Sequence, residues 1–308
     1  MYKYALIIML SVTSISSSCG QSFITEENEV FDGIKNLEIK GSFCQVTITG
    51  NESDQIFFQG EIKGYSSNSD FAIRHKISGD QLTIWVDTPT KSWNNVNGKL
   101  TFNVPADCNI FVNNSSGSIQ VSQLQYGGLV LESTSGSIKS NNTKTNARMK
   151  ASSGSINVNQ HEGNLELTSS SGSQKLAGII GDVSTRSSSG SINIQNIQGK
   201  VQAEASSGSI QLADVIGGAV VLKTSSGSIN GKGVQLTHSS SFTSSSGSIS
   251  ITLLNDIHNL SFNLSAGSGS LNVNGERRSK TFVRESGKIW IKGSSSSGSQ
   301  NYQVKPRT

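Results

Sequence analysis

The triplet Ser-Gly-Ser, nearly always followed by an apolar residue, recurs ten times, with its glycine at 117, 136, 154, 172, 190, 208, 227, 247, 269 and 298. The intervals are 19, 18, 18, 18, 18, 19, 20, 22 and 29. A period this constant is the signature of stacked supersecondary units, and it decides how the composition is read. The 308 residues include 58 Ser and 32 Gly, a share that without a period would indicate a flexible low-complexity chain. Apolar residues make up 33% and aromatics 6%, too little for one thick core. A thin core repeated along an axis needs far less apolar volume per residue, so an ordinary α/β enzyme domain is disfavoured.

Aligning the copies on the glycine shows strand alternation. The second residue after it is Ile119, Ile138, Ile156, Ile192, Ile210, Ile229, Ile249 or Leu271, with Gln174 and Gln300 as the two exceptions. The fourth is mostly aliphatic, as at Val121, Val158, Leu176, Ile194 and Leu212, and the residues between are polar. That pattern is apolar inward and polar outward. A second strand precedes each triplet, as at Leu129/Leu131 and Leu165/Leu167, with a second glycine near its start at 127, 163, 181, 199 and 218. Each period is read as two short strands and two turns, glycine serving the turns through positive φ and the serines hydrogen-bonding along the stack. The fold class is therefore all-β, a parallel β-solenoid with about 18 residues per coil. The crossover rule for parallel strands makes it right-handed. Gln174→Ile is expected to be neutral or stabilising if the column is purely apolar, and destabilising if Gln174 is hydrogen-bonded inside the coil.

Around this repeat the chain divides into five parts. Residues 1–19 read as a secretion signal, with Lys3, an apolar stretch Ala5 to Val12 and small residues before Cys19. The apolar run is too short to span a bilayer as a helix. Cys19 stands where a lipobox cysteine would be lipidated, although Ser16 replaces the usual Leu; the simpler alternative is cleavage near Gly20. Residues 20–33, with Glu26, Glu27 and Glu29, read as a solvated tether. Residues 34–113 read as a less regular β region that caps the solenoid, 114–274 as the regular repeat, and 275–308 as a basic, irregular C-terminal cap. Export places the protein at the outer membrane or cell surface, with a periplasm-facing orientation left open. An oxidising compartment permits a disulfide between Cys44 and Cys108, which share the inward parity of their strands; two buried free thiols are the alternative.

The opening Val30-Phe31-Asp32-Gly33-Ile34, then Leu37-Glu38-Ile39 and Val46-Thr47-Ile48, followed by serial Ser-Gly-Ser-Ile turns, resembles the bacterial putative adhesin family, which is similar to the head GIN domain of putative autotransporter adhesins. The resemblance covers about residues 30–300. It implies an exported β-solenoid, and it supplies no catalytic residues.

Catalytic chemistry finds little support in the residues. His75, His161, His238 and His258 have no metal-ligand partner at i+4 and read as solvated or turn histidines. No G-x-S-x-G elbow, P-loop or G-x-G-x-x-G occurs. Carbohydrate-active β-helix enzymes, the main enzymatic rival, need acids or bases clustered on neighbouring coils. Here the residues four before each glycine form the mixed column Glu132, Lys150, Thr168, Arg186, Glu204, Lys223, Thr243, a surface ladder. No cofactor or metal is expected. Net charge is +4, yet residues 275–308 alone carry +6, including Arg277, Arg278, Lys280 and Arg284. That end either contacts anionic glycan or blocks strand-edge pairing as a charged cap, the favoured reading. Trp93, in a polar stretch, could stack on a sugar ring or fold back onto the surface. Nucleic acid fits poorly, for want of aromatics interleaved with the basic residues. The expected function is a non-catalytic envelope module, structural or adhesive, meeting envelope or host glycans or surface proteins and held to the membrane through a lipid. A periplasmic scaffold for another envelope protein is the third reading.

If Cys19 carries that lipid, Cys19→Ala should move the protein from the membrane fraction to the soluble one. Unchanged membrane association on fractionation would remove the lipoprotein assignment.

Overall fold

The computed structural model describes residues 22–64, 70–90 and 95–306. Over these residues the fold is all-β, with 27 strands and one short 3-10 helix, Ile257–Asn259. The strands in chain order are β1 (Ser22–Asp32), β2 (Asn36–Ser42), β3 (Gln45–Asn51), β4 (Gln55–Gly64), β5 (Ala72–Ser78), β6 (Gln81–Asp87), β7 (Asn97–Pro105), β8 (Asn109–Asn114) and β9 (Ile119–Ser122). The regular coils follow as β10 (Leu129–Ser133) and β11 (Ile138–Lys144), β12 (Ala147–Ala151) and β13 (Ile156–Glu162), β14 (Leu165–Ser169) and β15 (Gln174–Ile180), and β16 (Val183–Ser187) and β17 (Ile192–Gln198). Next come β18 (Val201–Ala205) and β19 (Ile210–Ile216), β20 (Val220–Thr224) and β21 (Ile229–Gln235), and β22 (Ser240–Ser244) and β23 (Ile249–Leu253). The chain ends with β24 (Leu260–Val273), β25 (Glu276–Arg284), β26 (Ile289–Ser295) and β27 (Gln300–Val304).

The strands before each Ser-Gly-Ser form one parallel ladder and the strands after it another, so that Leu165 pairs with Val183 and Ile192 with Ile210. Identical parities stack, and the inward columns close into a continuous core: Ile138, Ile156, Ile192, Ile210 and Ile229 are all fully buried. With strands about 4.8 Å apart, roughly a dozen layers make a solenoid-like rod on the order of 50 Å long.

The Ser-Gly-Ser glycines are required for a reason other than the expected one. They do not adopt positive φ. Instead a Cβ on Gly208 would fall inside the carbonyl group of Gly190, one coil back, and the same clash repeats along the column. The corners stack so closely that only a hydrogen fits between them. Backbone bonds such as Ser189 N–H to Ser170 O (2.8 Å) and Ser207 N–H to Ser188 O (2.8 Å) hold the corners together. The second glycine column uses positive φ at Gly163, Gly181, Gly199 and Gly218 but not at Gly127; Gly181 lies at 145° and also abuts the Gly163 carbonyl.

A third bend went unread in the sequence. Asn142, Gln160, Gly178, Asn196, Asp214 and Gly233 all have φ between 50° and 68°. Asn, Asp and Gly tolerate this left-handed conformation best. In β11 the bend leaves Asn141 and Asn142 both exposed and returns Thr143 to the core. Each period therefore turns three times.

Both ends depart from chain order. The coil β2–β3 lies inside the stack, between β6–β7 and β8–β9, so residues 36–51 are not a cap. Capping falls to β4 and β5, antiparallel to β7 and β6, and to β1, antiparallel to β4. The expected tether is this edge strand, because Phe31 is buried against the core. The C-terminal end mirrors the arrangement: β26–β27 lies between β22–β23 and β24, and β25 closes the end antiparallel to β24. The interval of 29 between the last two glycines is the length of that detour.

Gln174 settles the question raised by its place in the aliphatic column. It is fully buried, its Nε2 donates to Ser169 Oγ (2.9 Å) and the Arg186 carbonyl (2.7 Å), and its Oε1 accepts from Thr185 Oγ1. Gln174→Ile should therefore lower stability by about 1–3 kcal/mol, since it removes the hydrogen bonds that Gln174 makes to Ser169, Thr185 and the Arg186 carbonyl. Gly208→Ala should cost upwards of about 2 kcal/mol by forcing two corners apart, against little change for exposed Ser207→Ala. Denaturant midpoints of the three variants check both statements.

Candidate functional site

The outer faces of the two ladders present the side chains that alternation turns away from the core. On the ladder through β10 to β22, Glu204 meets Lys223 Nζ at 3.1 Å and Arg186 Nε at 3.5 Å. Hydrogen bonding to Lys223, reinforced by Arg186, holds the Glu204 carboxyl below the usual carboxylate range. One coil-pair away, Glu166 binds Arg148 at 2.8 Å. Glu132 and Lys150 lie side by side in register. The column read from the sequence is thus a charge ladder, whose exposed pairs contribute little each.

Beside it runs a shallow groove of about 570 Å³ over five coils, lined by Asn146, Arg148, Asn164, Glu166, Asp182 and Lys200 among others. Its wall is a ladder of Asx side chains: Asn146 Oδ1 accepts from Asn164 N (3.0 Å), Asn164 Oδ1 from Asp182 N (3.2 Å) and Asp182 Oδ1 from Lys200 N (3.0 Å). Each short side chain stands in for a strand partner at the corner, which fixes the spacing of the polar groups along the groove. The opposite ladder carries a second groove of about 460 Å³, with Lys175, Asn193, Gln195, Gln211, Asn230 and Lys232. Such faces offer repeated weak hydrogen bonds at one fixed spacing. Among the described residues, no three of His, Cys, Asp and Glu stand together as a metal site.

The residues singled out by sequence fall in different places. Arg277, Arg278, Lys280 and Arg284 all lie on β25. Arg278 pairs with Glu276 at 2.9 Å, and Arg284 binds the other oxygen of Glu276 while lying 5.5 Å from the Phe282 ring centroid. Cys44 and Cys108 are separate buried thiols in place of the disulfide. They occupy different corner columns, Cys44 packed between Gly98 and Gly117 and Cys108 against Gly127. Shared parity puts two side chains in the same core without bringing them to the same corner. Burial pushes both thiols up to about 12. Cys19 and Trp93 lie outside the described residues.

The histidines also divide. His238 is exposed beside Thr237 (2.9 Å), and His258 has its backbone N–H capped by Asp256 (2.9 Å). His75 meets Glu29 at 3.2 Å and joins β5 to β1 across the end of the rod. His161 is not solvated: it is 2% exposed, its Nδ1 shares a hydrogen bond with Thr143 Oγ1 (2.8 Å), and its Nε2 has no hydrogen-bond partner among the described residues. Its place was legible, for it occupies the column of Ile179, Ile197 and Val215, seven residues after the glycine.

A family model described as Toastrack DUF4097 matches residues 34–215 and 200–307. Three solved structures are similar over most of both chains. One is titled a putative cell adhesion protein from Clostridium sporogenes, with 11% identity, coverage of 91% of this chain and 99% of that one, and a TM-score of 0.23. Another is a putative lipid binding protein from Parabacteroides distasonis, with 14% identity, coverage of 90% and 96%, and a TM-score of 0.36. The third is a putative adhesin from Bacteroides fragilis, with 12% identity, coverage of 94% and 100%, and a TM-score of 0.30. No curated protein matches this chain.

Burial pulls the His161 imidazolium down to about 4, whereas the unfolded side chain titrates near 6.5. Between those values the unfolded chain takes up a proton that the folded chain refuses. Stability should be complete above about pH 6.5 and fall as pH drops towards about 4, by at most about 3 kcal/mol from this group. His161→Leu, which matches its aliphatic neighbours, should flatten that part of the profile, and denaturant midpoints between those pH values measure the difference.

Proposed function

This chain belongs to the Toastrack DUF4097 family, and we propose that it is an exported, non-catalytic binding rod of the cell envelope, anchored through a lipid on Cys19. Its wind is right-handed with about 18 residues per coil. The observation that carries the reading is the pair of outer faces on which Asn, Gln, Ser and Lys repeat in register, coil after coil. Weak contacts at one spacing suit a polymeric ligand, because linked sites raise avidity without any strong single contact. The ligand is an envelope or host glycan, or a repetitive surface protein, and no nucleic acid. The basic strand β25 adds attraction for anionic polymers through Arg277 and Lys280, with Trp93 a stacking surface. Support for binding over chemistry comes from the charge ladder, where Glu204 is saturated by two cations rather than poised as an acid or base.

The test removes one coil. Deleting residues 191–208 joins two equivalent corners and should shorten the rod by one layer while leaving the rest in register. Purified protein with and without the deletion is screened on an array of envelope and host glycans for binding and for cleavage. Binding should survive, weakened by about fivefold at most, the equivalent of one cross-strand contact of up to about 1 kcal/mol. An enzyme would lose everything, since catalytic groups displaced by about 4.8 Å no longer converge. Glycan cleavage that vanishes with the deleted coil would overturn the proposal.

A further inference from the structure

The two ends of the rod carry opposite charge. Residues 22–107 hold twelve acidic and seven basic side chains, and residues 275–308 eight basic and two acidic. The stacking order puts these segments at opposite ends, each finished by an antiparallel strand. Among the described strands, β1 pairs only with β4 and β25 only with β24, so each keeps one free edge. β1 carries Glu26, Glu27, Glu29 and Asp32 and no basic residue. β25 carries Arg277, Arg278, Lys280 and Arg284 against Glu276 alone. Val30 and Val283, exposed at 57% and 63%, stand on these same two strands, so neither is covered within one molecule.

Direction and position match as well as charge. β4 is antiparallel to β7 and β1 to β4, so β1 runs with the coils, whereas β25 runs against them. β1 extends the ladder through β7, β3 and β9. The first half of β25 pairs with Ser270–Val273, whose residues Leu271–Val273 join β27 in that same ladder. Two copies stacked coaxially in the same orientation would place β25 of one beside β1 of the next as antiparallel neighbours. We propose that the rods associate head to tail in this way, the basic β25 edge of one copy adding to the acidic β1 edge of a second copy. Like ends repel, so the contact is directional, and because it is heterologous it continues into filaments. The charges that would merely block edge pairing among identical strands here select the complementary strand.

Sedimentation velocity of the purified full chain tests this. At about 50 mM salt the mass should rise with protein concentration, and at about 500 mM, where surface charges are screened, it should return to the monomer. Arg277→Glu with Lys280→Glu should give a monomer at low salt, as should Glu26→Lys with Glu27→Lys. Mixing the two variants should restore association, because each then offers the charge the other lacks. Arg277→Gln with Lys280→Gln repeats the first arm with neutral side chains, and circular dichroism checks that all variants fold. A wild-type chain that stays monomeric at low salt overturns the proposal, as does association that neither charge reversal weakens. Binding of monomers to anionic vesicles or polysaccharide, without self-association, would assign β25 to an anionic surface and overturn it too.

Discussion

At each Ser-Gly-Ser corner a Cβ on the glycine would fall onto a carbonyl of the adjacent coil, that of Cys44 for Gly117 and of another triplet glycine for the rest. The rest of the rod follows from that contact. Because the corners superpose, the flanking strands superpose at the same spacing, and the aliphatic columns behind them meet without gaps. Serine on either side keeps the corner narrow, and the buried column three residues before the glycine stays small or short, as with Ser133, Ala151, Ser169, Ser187 and Ala205. A large residue in that column would hold the corners apart and open the core on both sides.

Where the columns break, polar groups are satisfied in clusters. Gln300 repeats the solution of Gln174 near the other end: its Nε2 donates to the Ser265 carbonyl (2.7 Å) and Ser295 Oγ (3.0 Å), and its Oε1 accepts from Tyr302 Oη (3.2 Å). Burial of a glutamine is tolerated because the neighbouring coils supply partners at fixed positions. Among the described residues three buried atoms are left without a hydrogen-bond partner, Asn114 Oδ1, Ser133 Oγ and His161 Nε2, the last in a ring whose other nitrogen is served by Thr143. The rod thus carries one buried group whose protonation works against its own stacking.

The repeating coil was legible because glycine recurs where a Cβ is sterically excluded and isoleucine where the core column requires an aliphatic side chain, with small serines flanking the glycine. What escaped were features whose signal is spread over interchangeable residues. The third bend is occupied by Asn142, Gln160, Gly178, Asn196 and Asp214, which share no chemistry beyond tolerance of a left-handed backbone, so no single letter marks it. The reason for the corner glycines was misread for a related cause: a one-dimensional pattern shows that a side chain is excluded but not whether torsion or a neighbouring coil excludes it. Cys44 and Cys108 share parity, which is a property of each strand, while their separation is a property of the coil. On the outer faces, the ladder through Glu132, Arg186, Glu204 and Lys223 could be written down from spacing alone. The grooves beside it could not, because their walls depend on Asn146, Asn164 and Asp182 each reaching a different coil.

The out-of-order ends change how the molecule can be made and how it can diverge. β24 and β25 touch the main stack through β26 and β27, which follow them in the chain, so this closure cannot form until those later strands have emerged from the ribosome. Until then the exposed ladder edge is that of β22 and β23. At the other end β2 and β3 are made before β6 to β9 and wait for them before they have neighbours on either side. New coils can therefore be gained or lost by duplication or deletion within the middle of the gene, where each layer touches its like. The two ends, each with a coil (β2–β3 or β26–β27) locked one layer inside its cap, set the two fixed boundaries between which the length of the rod is free to vary.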